Sequence, residues 1–341
     1  MKVAGAGGIP ATNVTAVVLA ISVLNSLGAG YLTLYPDNTP KPDTSTLNWV
    51  AGIVPSNTAV VPVGANGYID IFVNGNATHV VADAEGYFTS DPSAANNTTY
   101  TPVKSTRFLD TRDGTGGTLG KIPGGGVKVL QVGGVTVGST TIPSGVKAVA
   151  LNLVGLNQAG QGWMVTYADG TPRPVASNLQ YPPTGPMANL EIVPVGANGK
   201  IDIFTTHQVD MIGDIVGYFT AGTAGQKFHS IPATRMVDTR VDGGAIAVNA
   251  TKKVTQGIAI VAQAPTLILN GTVTGPVGTG YLVAYPDGPM PSPASTINFA
   301  ASQTVSNLIL GATNGGVVNF TNASSGTTHL IVDCMGYLSA Y

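Results

Sequence analysis

The 341-residue chain reads as an all-β protein made of three tandem antiparallel β-sandwich repeats of jelly-roll or Ig-like kind. Three observations carry that expectation. The segment Gly30-Tyr31-Leu32-Thr33-Leu34-Tyr35-Pro36-Asp37 returns as Gly162-Trp163-Met164-Val165-Thr166-Tyr167-Ala168-Asp169, and again as Gly280-Tyr281-Leu282-Val283-Ala284-Tyr285-Pro286-Asp287. Each copy closes on a matching signature: Asp83-Ala84-Glu85-Gly86-Tyr87-Phe88, Asp214-Ile215-Val216-Gly217-Tyr218-Phe219 and Asp333-Cys334-Met335-Gly336-Tyr337-Leu338. Between these landmarks, short apolar runs rich in Val, Ile, Leu, Thr and Tyr alternate with Gly, Pro and Asn-Gly, and no stretch has the period of a long amphipathic helix. A period of roughly 120–130 residues is too long for a solenoid and suits whole small domains. The expected units are 1–90, 101–221 and 229–341.

Composition narrows the class. Only 9% of residues are charged and 43% are hydrophobic, with 45 Gly and 23 Pro, a profile that suits an all-β extracellular or virion protein. A net charge of -2 leaves no excess of Lys or Arg to neutralise phosphates, which argues against a nucleic-acid partner. The lone Cys334 excludes an internal disulfide framework. It stands where the other copies have Ala84 and Ile215, so a buried apolar role is expected. The apolar run 14–24 follows Lys2 and superficially resembles a signal peptide, yet it aligns with 146–153 and 266–273 as the first core strand of each copy. Neither a cleavable signal nor a membrane span is expected. Exported character without a signal points to release inside a virion, or to a fragment of a longer precursor.

In copy 2 the expected strands are 127–132, 146–155, 163–167, 177–181, 188–193, 201–205 and 210–218, enough for two packed sheets. The identical Pro-Val-Gly-Ala-Asn-Gly at 62–67 and 194–199 predicts a hairpin in which two consecutive residues take positive φ. Copy 3 shortens it to 311–316.

An element seen twice lies between copies: Thr106-Arg107-Phe108-Leu109-Asp110-Thr111-Arg112 and Thr234-Arg235-Met236-Val237-Asp238-Thr239-Arg240. Strict strand alternation puts Arg107, Leu109 and Thr111 on one face and Phe108, Asp110 and Arg112 on the other. Asp110 and Arg112, like Asp238 and Arg240, then form a same-face charge pair that docks the segment; the functional alternative is an Arg-lined anion or sugar-acid site. Copy 1 begins inside the repeat, at 3–10, which matches 132–143. It therefore lacks an opening strand or obtains one from another chain, and the unpaired edge would place a partner at the N-terminal end.

Catalytic patterns are sparse. His79 and Asp83 share a strand face, as do His329 and Asp333, but four residues at a rise of about 3.3 Å put them some 13 Å apart, and copy 2 has Asp210 at the histidine position. No nucleophile elbow, phosphate loop, Cys-x-x-Cys or paired-histidine helix is present. Four histidines and one cysteine supply few zinc ligands, and the Asp-Gly loops lack the dense oxygen alternation of a calcium site. No enzyme, metal or cofactor is expected. Recognition falls instead to the aromatic strands, where Tyr31 and Tyr35, Trp163 and Tyr167, and Tyr281 and Tyr285 share a face that could stack on sugar rings. The competing reading packs these rings beneath the following turn.

The order Arg-Phe-Leu-Asp-Thr-Arg, Gly-rich stretch, Ala-Val-x-Leu-Asn, Gly-Tyr-Leu-Thr-x-Tyr-Pro, Ser-x-Leu-Asn, Val-Pro-Val-Gly and Asp-x-x-Gly-Tyr-Phe resembles a repeat of actinobacterial secreted and surface proteins. It is also similar to modules of tail or fibre proteins of phages that infect those bacteria. The resemblance implies non-catalytic β-domains, and the start inside a repeat without an export signal shifts the expectation toward the virion. The expected function is a non-enzymatic virion structural protein, a phage minor tail, fibre or capsid-decorating component. The alternative is a secreted cell-wall or carbohydrate-binding adhesion module located at the cell surface. Expected partners are other virion or surface proteins, a second copy of the chain, or host cell-wall glycan, without membrane insertion.

Overall fold

Residue 16 to residue 23 are buried almost without a break along the first strand, because both faces of its sheet are covered. That double burial is why the run looks like a signal peptide in the sequence. The computed structural model describes residues 1–91, 93–94, 97–255, 264–291 and 294–340, and among them every extended regular element is a strand. Parts of the expected third unit, 256–263, 292–293 and 341, lie outside the described residues.

Repeat 1 supplies β1 (Val14–Leu24), β2 (Gly30–Pro36), β3 (Leu47–Trp49), β4 (Ser56–Pro62), β5 (Ile69–Asn74) and β6 (His79–Thr89). Repeat 2 supplies β7 (Thr98–Asp110), β8 (Val127–Gln131), β9 (Val135–Val137), β10 (Thr140–Ile142), β11 (Ala148–Leu156), β12 (Gly162–Ala168), β13 (Leu179–Tyr181), β14 (Met187–Pro194), β15 (Lys200–Thr205) and β16 (Asp210–Ala221). Repeat 3 supplies β17 (Lys227–Asp238), β18 (Thr251–Thr255), β19 (Thr266–Thr274), β20 (Gly280–Pro286), β21 (Ile297–Phe299), β22 (Val305–Ala312), β23 (Val317–Ser324) and β24 (His329–Ser339). All seven strands expected in copy 2 form, with shifted ends. The β9–β10 hairpin is additional.

Each repeat builds two antiparallel sheets. The axial sheets run β4-β1-β6, β14-β11-β16-β7 and β22-β19-β24-β17; the peripheral sheets run β3-β2-β5, β13-β12-β15-β8 and β21-β20-β23-β18. The all-β class is as expected, but the picture of three separate sandwiches is corrected. Six sheets stand around one centre like the blades of a propeller, although the order within a sheet is crossed rather than a meander. One apolar cluster runs unbroken through repeats 2 and 3, joining Leu151 and Ile203 to Leu269 and Phe320. Another draws on all three repeats, with Val18 and Val60, Ala150 and Leu190, and Ile268 and Leu308. Apolar area on the outward faces of the axial sheets is removed from water only when the repeats close on one another, so the core is shared.

Polar groups at this centre are satisfied in a cycle. Strands β4, β14 and β22 are sheet edges, and a buried backbone N–H there needs a partner. Asn57 Oδ1 accepts the Leu308 amide at 3.0 Å, Asn307 Oδ1 the Leu190 amide at 2.8 Å, and Asn189 Oδ1 the Thr58 amide at 2.9 Å. The three asparagines occupy the same repeat position, and each is fully buried. Each also donates to a carbonyl in its own repeat, Thr46, Asn178 or Thr296. A further donation crosses the junction, from Asn57 to Asn270 Oδ1 and from Asn307 to Asn152 Oδ1, both at 2.8 Å. Repeat 1 has Ala20 at the position of Asn152 and Asn270. There Asn189 donates instead to Thr58 Oγ1 at 2.9 Å, and Thr58 stands where the other repeats have Leu190 and Leu308.

The Asn-Gly hairpins also depart from expectation. Gly67 and Gly199 take φ of 84° and 79°, whereas Asn66 and Asn198 do not take positive φ. The turn closes through Gly67 N–H to the Gly64 carbonyl, with glycine alone in the left-handed position. This frees the asparagine to brace the neighbouring strand. Asn66 Nδ2 reaches Asp37 and Asn198 Nδ2 reaches Asp169, both at 2.5 Å, so the repeated Asn-Gly and the repeated Tyr-x-Asp are one device.

Candidate interaction surfaces

The Arg-x-x-Asp-Thr-Arg elements begin in the last four residues of β7 and β17, the outermost strands of their axial sheets, and run two residues past their ends. A register shift between Gly213 and Asp214, opposite Leu109 and Arg107, breaks strict alternation. Contrary to that expectation, Arg107 and Asp110 therefore meet on one side: Arg107 Nη1 lies 3.1 Å from Asp110, and its Nε and Nη2 clasp the fully buried Asp214 at 2.7 and 3.1 Å. Arg112 binds both oxygens of Asp110, at 2.9 and 2.6 Å, as the sequence led one to expect. Repeat 3 repeats the ladder with Arg235 on Asp333 and Asp238, and Arg240 on Asp238. Burial alone would raise the Asp110 carboxyl; the hydrogen bonds from Arg112 and the charges of Arg112 and Arg107 together hold it below its ordinary value. At Asp214 burial prevails, and the carboxyl is raised despite Arg107. The guanidiniums are engaged by carboxylates, and the ladder fastens the opening strand to the closing strand.

The threonine of the element explains the variable position of the closing strand. Thr111 Oγ1 donates to Asp210 at 3.0 Å, and Thr239 Oγ1 lies 3.2 Å from His329 Nδ1. The closing aspartates also join repeats: Ser177 N–H donates to Asp83 at 3.2 Å, Ser295 N–H to Asp214 at 3.1 Å, and Ser45 N–H to Asp333.

Among the described residues no strand lies beside β6 where β7 and β17 flank β16 and β24, and none takes the place beside β5 that β8 and β18 hold in the other repeats. Residues 1–4 occupy only the end of the second slot, through the Lys2–Tyr68 bridge and the Val3 and Ala4 amides on the Gly67 carbonyl. The latter bonds reproduce those of Val132 and Gly133 on Gly199, which matches the sequence alignment. Along β6, Val81 is 38% exposed where its counterparts Ile212 and Ile331 are 5% and 6% exposed.

The aromatic candidates sit on the outer faces of the peripheral sheets. Trp163 packs on Phe204 with centroids 5.4 Å apart, Arg173 lies 3.9 Å over Phe204, and Tyr167 is buried beside them. Tyr31 packs on Phe72 at 6.2 Å, with Lys41 at 4.8 Å over that ring, and Tyr35 is half-buried. In repeat 3, Tyr281 is half-buried, and the buried Tyr285 hydroxyl lies 2.8 Å from Thr321 Oγ1. Repeat 2 adds the buried Asp202, whose carboxyl is raised by burial and by Asp169 and whose Oδ1 has no hydrogen-bond partner.

Sequence reading missed two glutamates between repeats 1 and 2, Glu191 fully buried and Glu85 half-buried. Glu85 accepts hydrogen bonds from Asn178 Nδ2 at 2.7 Å and the Ile192 amide at 3.2 Å; Glu191 accepts from Thr166 Oγ1 at 2.6 Å. Burial pushes the Glu85 carboxyl up to about 7, and burial with the nearby Glu85 raises Glu191 well above its ordinary value. Their counterparts are Val216 and Met335, and Ala59 and Ile309, so the departure from apolar residues was the legible signal. Cys334 is buried, its thiol pushed up to about 11 by burial, in line with the apolar role expected. Among the described residues no group of three or more His, Cys, Asp or Glu is placed to hold a metal ion, and no helix is long and apolar enough to cross a membrane.

No family model and no curated protein matches the chain. Among solved structures, it is similar to a chain of Sulfolobus Turreted Icosahedral Virus at 12% identity and a TM-score of 0.18, covering 95% of this chain and 80% of that one. A second similar chain comes from a structure described as the triple jelly roll fold and turret assembly of an archaeal virus, at 11% identity and a TM-score of 0.18, covering 96% and 80%. At that TM-score the chains do not superpose as whole folds.

Proposed function

We propose that the protein is a non-enzymatic structural component of a virion, a phage minor tail, fibre or capsid-decorating protein that presents its repeats for assembly or attachment. The cycle of asparagine caps supports this reading. Asn57, Asn189 and Asn307 use buried side chains to lock three repeats into one body, which yields rigidity. The low charge and the resemblance to tail and fibre modules point the same way. Mass spectrometry of purified particles tests the proposal: the chain should be present in stoichiometric amount, and its absence would sink the virion role.

A second reading is favoured by one observation. Half-buried Trp163 beside Phe204, Arg173 and the unpartnered oxygen of Asp202 combines a ring face with charged groups, as a carbohydrate-binding adhesion module would. A glycan array separates the readings. Binding lost in Trp163→Ala supports attachment to polysaccharide, whereas a blank array leaves purely structural display.

A further inference from the structure

We propose that the edge of β6, which no described strand covers, is a docking slot for one extended strand of a partner polypeptide carrying Arg-x-x-x-Thr, the arginine seated on Asp83 and the threonine on His79. The inference deepens the assembly role above and rests on that reading for its setting.

The slot is defined by what fills it elsewhere in the molecule. In repeat 2 the strand beside the closing strand puts Arg107 opposite Asp214 and Thr111 against Asp210; in repeat 3 it puts Arg235 opposite Asp333 and Thr239 against His329. Both pairs are four residues apart and run antiparallel to the closing strand. On β6 the matching positions are Asp83 and His79, again four apart and on one face. Asp83 keeps its cross-repeat bond from Ser177 N–H, as Asp214 keeps that from Ser295, so the carboxylate is already held in the orientation its counterparts use to receive arginine.

The backbone is equally prepared. Thr111 and Thr239 each donate their N–H to a carbonyl on the closing strand, Met211 or Leu330; the corresponding carbonyl on β6 is Val80. A β-edge of this kind takes its affinity from main-chain bonds and its specificity from side chains at alternate positions. Val81 is 38% exposed where Ile212, paired with Asp110 of β7, is 5% exposed, so a strand at this edge would also cover apolar surface. A second copy of this chain is a poor occupant, because its two Arg-x-x-x-Thr strands are already paired, β7 with β16 and β17 with β24.

A fluorescent synthetic peptide with the sequence of residues 104–113 is the probe, titrated against the full chain. Binding is expected, with hydrogen-exchange protection of amides in 79–85. Asp83→Asn, or alanine at the peptide arginine, should weaken it at least about tenfold, as loss of one partner of a close charge pair does. Asp83→Lys should abolish binding and a peptide with aspartate for that arginine should restore it; this swap keeps the test valid if Asp83→Asn loosens the fold, which circular dichroism reports. No binding, binding indifferent to these changes, or protection elsewhere would overturn the proposal. A dimer in light scattering that the peptide dissociates would also overturn it, by giving the slot to a second copy. Particle mass spectrometry is independent: absence from virions removes the setting and leaves peptide binding as measured.

Discussion

Asn57 and Leu308 lie 251 residues apart in sequence, yet the side-chain carbonyl of one receives the backbone N–H of the other at 3.0 Å. With its two counterparts, this contact turns three exposed strand edges into a closed centre. The edges that would otherwise invite aggregation face one another and are capped.

Removing one cap should cost more than a hydrogen bond's usual net worth. Asn57→Ala strands the Leu308 amide, the Thr46 carbonyl and Asn270 Oδ1 in a buried site. Each orphaned group costs about 1–3 kcal/mol, so a loss of at least about 3 kcal/mol is expected in denaturant unfolding. A loss under about 1 kcal/mol would show that the junction relaxes to admit water.

Repeat 1 offers a test of compensation. Thr58→Val removes the hydroxyl that accepts from Asn189 and should destabilise by about 1–3 kcal/mol. Adding Ala20→Asn and placing Leu at 58 recreates the pattern of repeats 2 and 3. The double variant should recover most of that loss, and additive losses in the double-mutant cycle would refute the compensation.

The arginine ladder predicts an asymmetry. Arg107→Ala leaves Asp214 buried without its cation and should cost about 3–5 kcal/mol. Replacing both partners with apolar residues, as Arg107→Met with Asp214→Leu, should cost less than the single change. Thermal or denaturant melts of the pair decide it, and equal losses would assign the ladder a packing role alone.

The two glutamates between repeats 1 and 2 set a pH dependence. The Glu85 carboxyl moves from an ordinary 4.5 to about 7 on folding, so the folded state holds its proton more tightly than the unfolded state does. Stability is then fully present below about pH 4.5 and is lost as pH rises through 7, by roughly 3 kcal/mol for this group. Glu191, raised well above its ordinary value, adds loss in the same direction. The melting temperature should fall between pH 5 and pH 8, and Glu191→Gln should flatten the fall and raise stability at pH 8. A profile unchanged by Glu191→Gln would remove the pair as its cause.

Much of the fold was legible because local chemistry fixes it. The seven strands of copy 2 follow from β-branched runs and turn residues, and the Asp110–Arg112 pair from side chains two residues apart on a strand. The Arg107–Asp110 contact was not legible, because a bulge changes which face a residue takes. Nor was the pair Glu85 and Glu191, which lie more than 100 residues apart in sequence and meet only when repeats 1 and 2 close.

The sequence by itself determined an all-β chain with three copies of one pattern and a buried Cys334. Periodicity and turn chemistry act within a few residues, and repetition makes them readable. Only the tertiary structure decided that the three copies share one centre, and that no described strand covers the edge of β6 that carries Asp83 and His79. Those facts depend on which edges meet. A strand's hydrogen-bonding edge is the same backbone in every sequence, so its partner is chosen by side chains far away along the chain.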